Sequence, residues 1–90
     1  MNGRAILAWN LRSIRTSQGI SQEKLAADSG IDRAYLSELE RERGNATVDL
    51  LEKLAKSLEV TIADLFAAPP AGSRRPKPLM QGRRPAKKGR

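Results

Sequence analysis

The 90-residue sequence contains neither cysteine nor histidine. Without cysteine the chain cannot form disulfides or thiolate metal sites, and without histidine it lacks the commonest general base and metal ligand. It has no glycine-rich phosphate loop, and its carboxylates are scattered over the surfaces of predicted helices. The sequence therefore predicts a protein that is not an enzyme and that holds no metal and no cofactor.

Long apolar runs are also absent. No stretch approaches the roughly 20 residues that a membrane-spanning helix needs, and the N-terminus lacks the charged-then-apolar pattern of a secretory signal. We therefore expect a cytoplasmic protein without a membrane partner. Nothing in the sequence indicates a small-molecule ligand.

The excess positive charge is confined to one end of the chain. The net charge is +7, from 17 basic and 10 acidic residues. Residues 69–90 contain eight of the basic residues and no acidic one, which leaves nine basic against ten acidic residues, a net charge of −1, in residues 1–68. A claim about the partner of residues 1–68 must therefore rest on where their few cations lie.

The composition changes at the same point as the charge. From Pro69 onwards the chain is rich in proline, glycine and cations, with almost nothing apolar beyond Leu79 and Met80. Such a segment buries too little apolar surface to offset the entropy lost on ordering. We predict one small domain in residues 1–68 and a disordered basic tail in residues 69–90.

Apolar periodicity predicts an all-α fold with five helices. In the first helix, for example, Leu7, Leu11 and Ile14 follow the i, i+4, i+7 spacing of one helix face. The predicted helices are about Ala5 to Ser17, Gln22 to about Asp28, residues 33 to about 41, the residues after Thr47 as far as Leu58, and a short fifth helix in TIADLF. The candidate N-caps, in chain order, are Asn2, Ser21, Asp32, Thr47 and Thr61, the last of which forms a capping box with Asp64.

The stretch Gln22–Glu40, QEKLAADSGIDRAYLSELE, contains two of these helices, separated by a tight turn at Ser29-Gly30. Glycine suits such a turn because it adopts positive φ without a Cβ clash. This layout is typical of a helix-turn-helix, in which the second helix enters the major groove of DNA.

From about residue 6 to residue 66 the sequence resembles the phage-repressor-like (Xre/Cro-C1-type) helix-turn-helix DNA-binding family. The resemblance implies a lambda-repressor-like domain that binds double-stranded DNA and regulates transcription, in the cytoplasm at the nucleoid. The motifs that carry it are Leu11-x-x-Ile14-Arg15, Ser21-Gln22-Glu23-x-Leu25-Ala26, Gly30-Ile31, Tyr35-Leu36-Ser37-x-Leu39-Glu40, Asn45-x-Thr47-Val48, Leu51-x-x-Leu54-Ala55-x-x-Leu58 and Val60-Thr61-x-x-Asp64-Leu65-Phe66.

The resemblance places the base contacts on the third helix, at Arg33, Ala34, Ser37 and Glu38. Arg33 could bind guanine through two hydrogen bonds, and Ala34 could contact a thymine methyl group. Glu38 could accept a hydrogen bond from cytosine N4. In the alternative interpretation Arg33 binds a phosphate, and Glu38 only forms an ion pair with a neighbouring residue.

The resemblance also implies contacts to the DNA backbone. Tyr35 either contacts a phosphate or packs within the protein. The connection after the third helix departs from the family pattern, because Glu42 stands where the family usually has glycine and Ala46 where it usually has proline. The phosphate contacts implied are Gln22, Tyr35, Arg41, Arg43 and Asn45.

One structural feature follows from the same resemblance. Arg15 and Glu40 match positions that often form a partly buried ion pair, which we expect here as well. The expected dimer interface follows from the residues themselves, because the apolar side chains of the fifth helix are the least easily buried in a monomer. It consists of Ile62, Leu65 and Phe66 with part of the fourth helix, although Leu65 could instead close the core. A homodimer would bind a palindromic operator with half-sites about 34 Å apart.

Other functions remain open at this level. The domain could be a protein-interaction module such as an antitoxin or an anti-repressor. The basic tail could tether the protein to DNA without sequence preference, act only as a solubilising segment, or bind a partner. The sequence does not separate an activator from a repressor, or a restriction-modification controller from a phage or plasmid regulator.

Overall fold

The computed structural model describes residues 2–69 of the chain. The helices in this range are α1 (Gly3–Ser17), α2 (Gln22–Ser29), α3 (Arg33–Glu40), α4 (Val48–Leu58) and α5 (Ile62–Leu65). The prediction of five helices is confirmed, with ends that differ by one or two residues from the expected ones. The predicted disordered tail, Pro69 apart, lies outside the described residues.

Side chains cap four of the five helices at their N-termini. Asn2 accepts a hydrogen bond from the Ala5 N–H, Ser21 from Lys24 and Thr47 from Leu50. At α5 the predicted capping box is present, since the Asp64 N–H donates to Thr61 Oγ1 at 3.1 Å and the Thr61 N–H donates to Asp64 Oδ2 at 2.9 Å. These caps satisfy amide groups that have no partner within the helix.

Asp32 differs from the other caps. Its backbone is extended, as expected before a helix, but its side chain makes no capping hydrogen bond. Asp32 is therefore the N-cap residue of α3, as predicted, but without the side-chain hydrogen bond of a typical cap. A carboxylate at this end still interacts favourably with the dipole of α3.

The core lies where the apolar faces of the five helices meet. Helix α3 packs between α1 and α2, α4 packs against α2, and α5 closes the assembly against α1 and α4. Each buried leucine stabilises the fold, because truncating one to alanine typically costs 2–5 kcal/mol. The largest fully buried side chains are Leu11, Leu25, Leu36, Leu54, Leu58 and Leu65.

The turn between α2 and α3 sets the angle of the helix-turn-helix. Gly30 has φ +72°, and the next N–H, of Ile31, donates to the Ala26 carbonyl at 3.0 Å. A left-handed glycine with this hydrogen bond ends a helix and redirects the chain at once. Only three residues therefore separate the end of α2 from the start of α3.

None of the five helices in residues 2–69 has both the length and the apolarity to cross a membrane.

Candidate nucleic-acid interface

The first turn of α3 faces outwards. Leu36 and Leu39 hold one side of the helix in the core, and this leaves Arg33 and Ala34 exposed on the opposite side. Glu38 is half-buried on the same side. Three of the four predicted base-contact residues therefore lie on a surface that a ligand can reach.

Ser37 is the least exposed of the four, at 9%. Its contact with the base edges stays a prediction. Helical periodicity places Ser37 on the outer face, whereas the packed domain leaves it little exposed surface.

A chain of side-chain hydrogen bonds joins α3 to the start of α2. Arg33 Nη1 donates to Gln22 Oε1 at 3.3 Å, and Gln22 Nε2 donates to Glu40 Oε1 at 3.0 Å. The amide of Gln22 thus lies between the two ends of α3. A predicted base contact and a predicted phosphate contact are already coupled in the protein alone.

Glu40 lies at the buried end of this chain. Arg15 donates to both of its carboxylate oxygens, from Nε at 2.7 Å and from Nη2 at 2.9 Å, and its Nη1 donates to the Ile20 carbonyl at 2.8 Å. Arg12 Nε lies 3.7 Å from the same carboxylate. The expected ion pair between Arg15 and Glu40 is present, with the Glu40 side chain fully buried. Such a bidentate geometry fixes the end of α3 against α1.

Glu38 has the partners that the ion-pair alternative requires. Its two carboxylate oxygens lie 3.6 Å from Arg41 Nη1 and 3.9 Å from Arg43 Nη1. All three side chains are substantially exposed, so each pair contributes about 0–1 kcal/mol at most. The arginines can therefore exchange this carboxylate for a phosphate at small cost.

The connection between α3 and α4, residues 41–47, holds the remaining predicted phosphate contacts, with Arg41, Arg43 and Asn45 exposed. Glu42 adopts φ +66°, a left-handed conformation that a non-glycine residue adopts at a cost. This conformation explains why the family usually has glycine at this position. Glu42 thus adopts the backbone conformation that suits glycine, and the replacement of glycine by glutamate does not change the course of the main chain.

Tyr35 packs against this connection. Its hydroxyl donates to the Asn45 carbonyl, and the ring lies beside Gly44, at 3.6 Å from the position that a Cβ would occupy there. The packing alternative for Tyr35 is thus present in the protein alone.

Sequence reasoning missed Arg4. In the structure this residue of α1 donates from Nε to the Gly44 carbonyl at 3.0 Å and from Nη2 to Asn45 Oδ1. The two partners lie 40 and 41 residues away in the sequence. No local pattern could have found this contact, because a single arginine in the first turn of a helix is common.

The predicted dimer surface is altered in one respect. Leu65 is fully buried within the monomer, so its assignment to the interface is wrong and it closes the core instead. Ile62 is half-buried against the core, and Phe66 is 41% exposed. Val48 at the start of α4, the other helix of the predicted surface, is 65% exposed.

The sequence and the structure both match known proteins. The helix-turn-helix family model matches residues 11–65. A hypothetical transcription factor of Neisseria meningitidis is 44% identical over 66 residues, which are 73% of this chain and 62% of that protein. The control protein C.SmaI of Serratia marcescens is 42% identical over 66 residues, which are 73% of this chain and 79% of that protein.

Two solved structures extend the comparison. The crystal structure of the hypothetical transcription factor NHTF from Neisseria superposes with a TM-score of 0.73 at 43% identity, and the match covers 76% of this chain and 78% of that one. C.Esp1396I bound to a 19-base-pair DNA duplex superposes with a TM-score of 0.67 at 35% identity and covers 73% of this chain and 88% of that one. The chain therefore belongs to the helix-turn-helix family of DNA-binding transcriptional regulators, of the Xre type.

Proposed function

We propose that the protein binds a palindromic DNA operator as a homodimer and regulates transcription there, with α3 of each subunit in the major groove. The observation that carries the proposal is the exposed first turn of α3, where Arg33 extends from a helix whose other end is fixed by a buried ion pair. A rigid helix with an exposed cationic residue at its N-terminal end suits the reading of base edges.

The base contacts we propose are Arg33, Ala34 and Glu38. Arg33 donates two hydrogen bonds to a guanine, and Ala34 contacts a thymine methyl group. Glu38 can accept a hydrogen bond from cytosine only when it is free of Arg41 and Arg43. The approach of a phosphate to these two arginines would release it.

The phosphate contacts we propose lie on both sides of α3. Gln22 contributes from the start of α2, while Arg41, Arg43 and Asn45 contribute from the connection to α4. Tyr35 contributes mainly by supporting that connection, because its hydroxyl is already bonded to it. Glu42 lies in the same connection, and its charge would be repelled by a nearby phosphate, so we expect its side chain to turn away from the DNA backbone when DNA binds.

A dimer is required because residues 1–68 carry a net charge of −1. A single domain with this charge gains little affinity from its electrostatic attraction to DNA. Two linked domains that bind two half-sites together raise the affinity. We expect the dimer interface at the apolar surface near α4 and α5 that is exposed or partly exposed, formed by Phe66, Val48 and Ile62. The eight cations of residues 69–90 would add binding that is independent of sequence.

The test is selection of bound sites from random DNA with the wild type, with Arg33→Ala, and with Lys53→Ala as a matched control on the exposed side of α4. We expect the wild type and the control to select one palindrome with half-sites about 34 Å apart. Arg33→Ala should lose preference at one position in each half-site. Failure of the wild type to select any motif at low salt would refute the proposal.

A narrower role is favoured by the relatives. C.SmaI is a control protein, and C.Esp1396I is a restriction-modification controller. We therefore propose that this chain controls a restriction-modification system rather than a phage or plasmid operon. Mapping of the DNA sites occupied in the source cells should find the selected palindrome upstream of a restriction endonuclease gene. Occupancy confined to other promoters would refute the narrower role and leave the DNA-binding activity intact.

A further inference from the structure

Arg4 links the start of α1 to the connection between α3 and α4. Its Nε and Nη2 donate to the Gly44 carbonyl and to the Asn45 side-chain oxygen, respectively. The two donors, Nε and Nη2, lie on one edge of the planar guanidinium. One arginine side chain therefore fixes both the main-chain oxygen of Gly44 and the side-chain amide of Asn45. Gly44 has φ +74°, which glycine adopts without strain, and in this conformation its carbonyl accepts from Arg4 of α1.

The contact determines how Asn45 is presented. Because Asn45 Oδ1 accepts from Arg4, its Nδ2 group with two donor hydrogens points elsewhere. Asn45 is exposed, so this donor group faces solvent. A phosphate accepts hydrogen bonds and donates none, and the amide orientation set by Arg4 is therefore the one that can bind it. The reversed amide would present an oxygen to the phosphate and repel it.

The other side of the connection is already fixed by α3. The Tyr35 hydroxyl donates to the Asn45 carbonyl, and the Arg43 N–H donates to the Glu38 carbonyl at 2.9 Å. These contacts hold the main chain but do not touch the Asn45 amide. Arg4 supplies the contact that orients this side chain.

We propose that Arg4 is a positioning residue for DNA binding, which acts by orienting the Asn45 amide towards the phosphate backbone. The proposal rests on the DNA-binding mode given above. It assigns a role in DNA recognition to the N-terminus of α1, outside the helix-turn-helix. Arg4 itself is not required to contact DNA.

The experiment measures the dissociation constant for the selected operator over a series of salt concentrations, with Arg4→Met, Arg4→Lys and the control Lys53→Met. Both Arg4 variants should bind about tenfold more weakly, the loss of one net hydrogen bond of roughly 1.4 kcal/mol. Their salt dependence should equal that of the wild type, because Asn45 carries no charge and releases no counterion. Lys53→Met should bind as the wild type does.

A double-variant comparison identifies the residue through which Arg4 acts. Asn45→Ala alone should weaken binding by about the same factor, and Arg4→Met combined with Asn45→Ala should weaken it no further. If the two losses multiply, Arg4 does not act through Asn45, and the proposal is overturned.

Two other results would also overturn it. A salt slope lowered by about 0.9 in Arg4→Met, with full affinity kept in Arg4→Lys, would show that Arg4 neutralises a phosphate directly. Unchanged affinity in both Arg4 variants would show that the contact only supports the fold. Should Arg4→Met unfold, Arg4→Lys decides the question, since it keeps the charge and lacks the paired donors. Absence of operator binding by the wild type would instead remove the proposed function, and the inference with it.

Discussion

The two ends of α3 differ in what surrounds them. At its N-terminal end Arg33 and Ala34 are exposed, whereas at its C-terminal end Glu40 is fully buried and accepts hydrogen bonds from Arg15 and Gln22. Helix α3 has only eight residues, so its exposed end and its fixed end lie close together. The difference indicates a division of roles, in which one end of the helix contributes stability and the other contributes recognition.

The division can be tested first at the buried end. Arg15→Met leaves the Glu40 carboxylate without its main partner, and breaking a buried pair in this way typically costs about 3–5 kcal/mol. We expect the largest loss of unfolding free energy among these variants, measured by urea denaturation. Arg15→Met combined with Glu40→Leu should recover much of it, since replacing both partners removes the isolated charge. An unchanged denaturation midpoint in the single variant would contradict the structural role.

At the exposed end of α3 we expect a substitution to change DNA binding but not stability. Arg33→Ala should lose about 1–3 kcal/mol of discrimination at one base pair in each half-site, measured by titration of matched and mismatched operators. Its free energy of unfolding should stay within about 0.5 kcal/mol of the wild-type value, as for other exposed positions. A large loss of stability would mean that the two ends are not independent.

Gln22 sharpens the comparison because it contacts both ends. Gln22→Ala removes one hydrogen bond to Glu40 and one to Arg33. We expect a loss of about 1 kcal/mol in unfolding free energy and a similar loss in operator binding. Denaturation and DNA titration on the same sample measure the two effects. If only one of them changes, Gln22 serves that end of α3 alone.

The smallest effect is expected for a substitution at the end of α4, away from α3, which serves as a reference for the variants in and around α3. Glu59 ends α4 with φ +61° in an exposed position. Glycine adopts this conformation without strain, so Glu59→Gly should stabilise the domain by about 0.5–1 kcal/mol. The operator affinity should stay the same. A destabilised variant would show that the Glu59 side chain contributes more than its backbone conformation costs.

Much of the fold could be predicted because its signals are local. The periodicity of Leu7, Leu11 and Ile14 requires only one helix, and Thr61 and Asp64 form their capping box within four residues. The break at Gly30 likewise depends on one residue that tolerates positive φ. The exposure of Arg33 and Ala34 follows from the same periodicity, since the apolar face of α3 fixes its opposite side.

Expectation and structure diverge where contacts between distant residues decide the result. Ser37 lies on the outer face by periodicity but keeps only 9% exposure in the packed domain. Leu65 was an expected interface residue, but the docking of α5 against α1 and α4 buries it completely.

The sequence by itself determined the five helices, most of their caps, the helix-turn-helix and the family, because these depend on residues a few positions apart. Only the tertiary structure decided which surfaces remain free and which polar groups meet. The contact of Arg4 with Asn45 and the chain from Arg33 through Gln22 to Glu40 join segments that are 11 to 41 residues apart. No local propensity encodes such contacts. They exist because burying the apolar faces of the helices fixes the helix angles, and the angles then bring the polar side chains together.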